Sequence, residues 1–121
     1  VSTIKSRKAK ARKLQQWVRD KIKDLLNLDD NTVTSTIMGM SGEDVVIHGA
    51  DSRSKFPYSI ECKNCEQMRT VWKYYNQAQS HTDYEPLLII KRNHEKPLAI
   101  VDAEYFIKLH SQFKSDNIEA K

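Results

Sequence analysis

Two stretches decide the fold: residues 41–47, Ser41-Gly42-Glu43-Asp44-Val45-Val46-Ile47, and residues 58–63, Tyr58-Ser59-Ile60-Glu61-Cys62-Lys63. The second is aromatic and β-branched, opened by Pro57 and closed by Asn64, and it reads as a strand. Strand side chains alternate, so Glu61 and Lys63 share one face while Ile60 and Cys62 share the other. Asp44 opens another apolar run, residues 44–48, and a polar loop over 49–57 lets the two strands lie side by side. Two carboxylates and a lysine on neighbouring strands form a donor set for a divalent metal that cuts a phosphodiester.

Working outward, residues 8–28 carry Leu14, Val18, Ile22 and Leu25 at helical spacing, widened by Trp17 and Leu28. Arg12, Arg19 and Lys23 lie off that stripe, and residues 29–31 break it. Residues 32–38 are β-branched and read as a first strand, after which Gly39 and Gly42 bracket a turn. Residues 66–81 read as a second helix whose inner stripe is Met68, Val71, Trp72, Tyr75 and Ala78; Tyr74 falls outside it. The run over 87–90 is apolar on both faces, as in a central strand. A turn over 93–97 and a strand over 98–101 follow. Asp102 then stands where an N-cap would start a last helix with Tyr105, Phe106 and Leu109 inward, before a frayed tail over 115–121. The order αβββαββα predicts an α/β fold with a mixed central sheet flanked by helices. It divides into a basic arm over 1–12, one domain over 13–114, and the tail.

A chain of 121 residues, 39% hydrophobic, supports one small core. No apolar run approaches the ~20 residues that span a bilayer. The basic N-terminus has no apolar stretch behind it, so a secretory signal is not expected and a cytoplasmic location is. Lys5, Arg7, Lys8, Lys10, Arg12 and Lys13 lie within the first thirteen residues with no acid among them. The whole chain has 20 basic and 16 acidic residues, so beyond the arm fourteen basic residues face sixteen acidic ones. All the excess positive charge therefore sits in the arm, which suits contact with nucleic-acid phosphates.

The two cysteines, Cys62 and Cys65, have a spacing seen in zinc and redox sites. No second close pair exists, and His48, His81, His94 and His110 are scattered. Cys62 is expected on the apolar strand face and Cys65 in a loop. A Glu-x-Lys pair on a wet strand is usually only a weak ion pair. Here both strands are otherwise apolar, and an acid precedes the pair at the distance an adjacent strand requires. Magnesium or manganese would take Asp44, Glu61 and the Cys62 backbone carbonyl as oxygen ligands. Lys63 would orient the attacking water.

These motifs, Gly42-Glu43-Asp44 and Glu61-Cys62-Lys63, together with the αβββαβ order, resemble the PD-(D/E)XK nuclease superfamily from the first helix to Val101. Within it the chain is most similar to small archaeal-type and phage-encoded Holliday-junction resolvases. The resemblance implies a restriction-endonuclease-like core over 13–114, a phage source, a homodimer making two symmetric cuts, and Gln77 near the metal, with Gln79 the alternative. It also shows two departures. Glu43 stands where a proline is expected, and Gln15 or Gln16 stands where resolvases place a metal-associated glutamate in the first helix.

The expected function is thus a Mg2+- or Mn2+-dependent DNA endonuclease selective for structure, such as branched or duplex DNA. The site would comprise Asp44, Glu61, Lys63 and Gln77, flanked by Gln15 or Gln16. The alternative is a non-catalytic protein on the same fold that binds nucleic acid or a host enzyme; an RNA-directed nuclease would share the same site. Arg69, Lys73, Lys91 and Arg92 are further phosphate-contact candidates, Lys91-Arg92 most of all because they directly follow a strand.

Overall fold

The computed structural model describes residues 3–37 and 39–119. It is a mixed α/β structure of four helices and two small antiparallel sheets, in the order α1 (Ile4–Leu25), β1 (Val33–Ser35), β2 (Val45–Ile47), α2 (Ala50–Lys55), α3 (Arg69–His81), β3 (Leu88–Ile90), β4 (Leu98–Ile100) and α4 (Ala103–Glu119). The chain divides into two compact units, Val1–Asn64 with Ile107–Lys121, and Cys65–Phe106. No helix among the described residues is long and apolar enough to cross a membrane.

In the first unit, α1 begins earlier than its apolar stripe. Thr3 caps it, its hydroxyl accepting from the Ser6 amide at 3.0 Å. The basic segment expected as an arm is therefore helical from Ile4 onward. The helix also ends earlier than residue 28. Asn27 takes φ 55°, the Asn27 amide donates to the Asp24 carbonyl, and the Leu28 amide donates to the Lys23 carbonyl at 2.8 Å. This is a Schellman stop with asparagine in the left-handed position. Lys23 then reaches Asp30 at 2.7 Å; that bond raises the lysine pKa and lowers the aspartate's.

β1 and β2 pair antiparallel with Val33 opposite Ile47 and Ser35 opposite Val45. Period-2 alternation puts Val33, Val45 and Ile47 inward, where α1 covers them with Ile22 and its C-cap residue Leu26; Phe56 and Ile107 complete the buried apolar set among the described residues. The β1–β2 connection holds Gly39 at φ 89° and Gly42 at φ 105°, as their turn positions predicted. Met38, expected at the end of the first strand, lies outside the described residues.

The expected third strand does not form as a ladder. Residues 58–63 make one bridge, Val45 to Ile60, with the Asp44 amide donating to the Ile60 carbonyl at 2.9 Å. The amide two residues on, Cys62 N–H, is taken by the Asp44 carboxylate instead of a backbone oxygen. The Asp44 carbonyl is already engaged by Thr36 N–H and the Gln15 side chain, so pairing stops there. The segment expected as a polar loop contains α2, started by Gly49 at φ 87°. The order is thus αββααββα.

In the second unit, β3 and β4 form a hairpin with Leu88 opposite Ile100 and Ile90 opposite Leu98, and α3 packs against β3. Two separate two-stranded sheets replace the single mixed sheet expected. Among the described residues β3 has only β4 as a neighbour, and Leu87 and Ile89 are exposed; two-faced apolarity does not by itself make a strand central. Trp72, expected inside, is exposed, while Val71, Tyr75 and Ala78 are half-buried. Asp102 caps α4 as predicted, its carboxylate accepting from the Tyr105 amide at 2.8 Å. Tyr105, expected inward, is exposed, whereas Ile107, which belongs to the first unit, is buried. The helix continues to Glu119, beyond the tail boundary at residue 115.

Candidate active site

Asp44 is the hub of the first unit. Its amide binds Ile60, its carbonyl accepts from Thr36 N–H at 2.9 Å and from Gln15 Nε2 at 2.8 Å, and its Oδ2 accepts from Cys62 N–H at 2.7 Å. The last bond holds the carboxylate against the Glu61–Cys62 peptide. Oδ1 and the remaining lone pairs of Oδ2 stay available. The local sequence explains the placement. Gly42 reverses the chain at a positive φ, β2 begins directly after Asp44, and the Ile60 bridge aligns the following segment.

Glu61 and Lys63 project together, as the alternation predicted, with Lys63 Nζ 3.2 Å from Glu61 Oε2. They are 62% and 73% exposed, so the pair is solvated and worth at most about 1 kcal/mol. Both side chains are therefore accessible to a large polyanion. Cys62, half-buried on the opposite face, has its thiol pKa pushed up to about 11, first by burial and then by the nearby Asp44 and Glu61 carboxylates. Its thiol is an inert packing group near neutral pH, and Cys65 is exposed, as the sequence implied.

Gln15 separates from Gln16. Gln16 is exposed, whereas Gln15 is 4% exposed, and its Oε1 is buried with no hydrogen-bond partner among the described residues. The donation of Nε2 to the Asp44 carbonyl fixes which end of the amide is orphaned. An unsatisfied buried amide oxygen costs ~1–3 kcal/mol. The signal for it was present in the sequence: Gln15 shares a helical face with Ile22 and Leu26, a polar residue on an apolar stripe.

Around Asp44 lies a support that the sequence did not reveal. The Glu43 carboxylate pairs with Arg53 of α2, and the Glu43 carbonyl accepts the Thr36 hydroxyl. Glu43 is thereby committed away from Asp44, as strand alternation predicted. Arg53 was hidden because its segment read as loop. His48, which shares the Asp44 strand face, bonds Thr34 at 2.8 Å. Gln77 sits exposed on α3 in the other unit. Lys5, Arg7, Lys8, Arg12 and Lys13 are exposed along α1 together with Lys10.

Gln15, Asp44, Glu61, Cys62 and Lys63 thus come together in one unit. Among the described residues no three His, Cys, Asp or Glu side chains gather as a metal cluster. The oxygen donors that Asp44 and the 61–63 segment offer are two carboxylates and a backbone carbonyl. That set fits a hard, oxygen-seeking divalent cation that keeps several waters. Compared with protein-family models, with curated protein sequences and with solved structures, the chain gives no match.

Proposed function

We propose that the protein is a Mg2+- or Mn2+-dependent DNA endonuclease with a PD-(D/E)XK-type, restriction-endonuclease-like site, selective for branched DNA in the manner of a junction resolvase and encoded by a phage. The observation that carries this reading is the Asp44 carboxylate held on the Cys62 amide, beside the exposed Glu61–Lys63 pair. Asp44, Glu61, the Cys62 carbonyl and Gln15 Oε1 would hold the metal. Once bound, it supplies Lewis-acid polarisation of the phosphate and acidifies water. The chain's own groups do the rest. Lys63 Nζ orients the attacking water and offsets charge on the phosphate, and Glu61 holds Lys63 in place. The Cys62 amide keeps Asp44 in one rotamer. The cations of α1 grip the duplex backbone without reading sequence.

Two symmetric cuts at a junction require two sites, hence a homodimer acting in the cytoplasm of the host cell. A second reading, a non-catalytic binder of nucleic acid or a host enzyme, draws support from the neutral Gln15 amide, which adds no charge to the metal. Four-way junction, flap, duplex, single-stranded DNA and RNA, incubated with Mn2+, Mg2+ or EDTA beside Glu61→Gln, separate these. Metal-dependent paired nicks at the junction, lost in Glu61→Gln, are expected. Intact binding without cutting by the wild type would transfer the assignment to the binder, and cutting of RNA alone would change the substrate class.

A further inference from the structure

At the turn end of the β3–β4 hairpin lies a groove of about 540 Å³, within the ~300–1,000 Å³ typical of small-ligand sites. Its floor is apolar. Ile90 and Leu98 are cross-strand partners at the last register position before the turn, and Met68, the residue preceding α3, lies beside them. Leu98 is 55% exposed and Met68 45%, so this floor faces solvent. Its rim is cationic, made by Lys91, Arg92 and Lys96. The one rim carboxylate, Glu95, is paired with Arg92 at 3.0 Å, which leaves the two lysines as surplus positive charge. Among the described residues Lys91 Nζ makes a long 3.4 Å contact, to the Arg92 carbonyl.

An apolar floor three side chains wide, under ammonium groups, matches a ligand with one flat ring and attached negative charge. We propose that this groove is a second nucleic-acid contact, holding one unpaired nucleotide of a DNA strand, with the base against Met68, Ile90 and Leu98 and the flanking phosphates on Lys91 and Lys96. The site lies wholly within the second unit and requires no cleavage, so a DNA binder that does not cut would carry it equally. It would let the protein recognise the unstacked bases that branched DNA exposes and duplex hides.

The test is fluorescence anisotropy on the full chain in EDTA, across a salt series, with three labelled probes: a short oligo(dT) strand, an abasic strand of the same length, and a blunt duplex. Wild type is expected to prefer oligo(dT) over the abasic strand by at least about fivefold, the factor that burying ~40 Å² of apolar surface against Met68, Ile90 and Leu98 would contribute. Lys91→Glu with Lys96→Glu should weaken oligo(dT) binding at least tenfold. It should also flatten the log Kd against log salt slope by about 1.4, or 0.7 per single-strand phosphate contact, while duplex binding through α1 changes less than about threefold. Both lysines are exposed, and an unchanged circular dichroism spectrum verifies the fold of the variant. Equal affinity of the wild type for abasic and oligo(dT) strands would overturn the proposal, as would an unchanged salt slope in the double variant. Equal loss of duplex and single-strand binding, or binding of an acidic peptide as tight as that of oligo(dT), would also overturn it. Cleavage is absent in EDTA, so this outcome is independent of the junction assay.

Discussion

Replacing Gln15 by leucine should make the protein more stable and less able to bind metal. The side chain is almost fully buried; Nε2 donates to the Asp44 carbonyl and Oε1 has no hydrogen-bond partner among the described residues. Gln15→Leu removes one hydrogen bond, worth about 1 kcal/mol. It leaves no new orphan, because the Asp44 carbonyl keeps its 2.9 Å bond from Thr36 N–H. It also relieves the buried amide oxygen, worth ~1–3 kcal/mol, at nearly constant volume. The net is a gain of about 1 kcal/mol, or roughly 3–5 °C in Tm for a chain of this size. If Oε1 is orphaned because it is a metal donor, the same change should weaken Mn2+ binding roughly tenfold. Gln15→Ala, by contrast, opens a void and should destabilise by about 1–3 kcal/mol. Denaturant melts in EDTA and Mn2+ titration calorimetry measure the two effects separately. A Gln15→Leu protein that loses about 2 kcal/mol while binding Mn2+ like wild type would refute the reasoning, since the amide would then serve the fold alone.

Glu61→Gln and Lys63→Ala should each leave stability within about 0.5 kcal/mol, because both side chains are solvated, yet abolish cleavage of every DNA form. Residual cutting in both, read on denaturing gels, would remove them from the site. Gly42→Ala should destabilise by roughly 1–3 kcal/mol, seen as a lower denaturant midpoint; the position has open space for a Cβ, so the cost comes from φ 105° alone. Thiol labelling at about pH 8 should modify the exposed Cys65 first. Cys62, with its pKa near 11, presents only about a thousandth of its population as thiolate at that pH. Because the folded-state value is raised above the ordinary 9.0, the thiol takes nothing from stability below pH 9 and lowers it as pH climbs toward 11. Mass spectrometry of Cys62→Ser and Cys65→Ser reads the order of modification, and fast labelling of Cys62 in the native protein would contradict its half-buried placement.

Features that depend on neighbours along the chain were legible before any tertiary contact was known. Strand alternation put Glu61 beside Lys63 and Cys62 on the opposite side. The glycines at 39 and 42 marked the turn, Asp102 marked the α4 cap, and the Leu14–Leu25 spacing marked α1. Each follows from a local dihedral preference or a period of 2 or 3.6. The pairing of the two stretches was also legible, through the position of Asp44 ahead of Glu61, and the Ile60 bridge realises it. Only the tertiary structure decided how far that pairing runs. Asp44 uses its own carboxylate to intercept the Cys62 amide, a competition between side chain and backbone that no propensity encodes. Although the polar position of Gln15 on the apolar stripe was legible, the tertiary structure also decided that its amide oxygen is orphaned, since hydrogen-bond partners are a property of what packs around α1. The same holds for Arg53 on Glu43 and for the exposure of Trp72, Ile89 and Leu98. Apolar periodicity says that a face seeks cover, whereas the cover itself comes from distant parts of the chain, where loop closure and packing set the outcome.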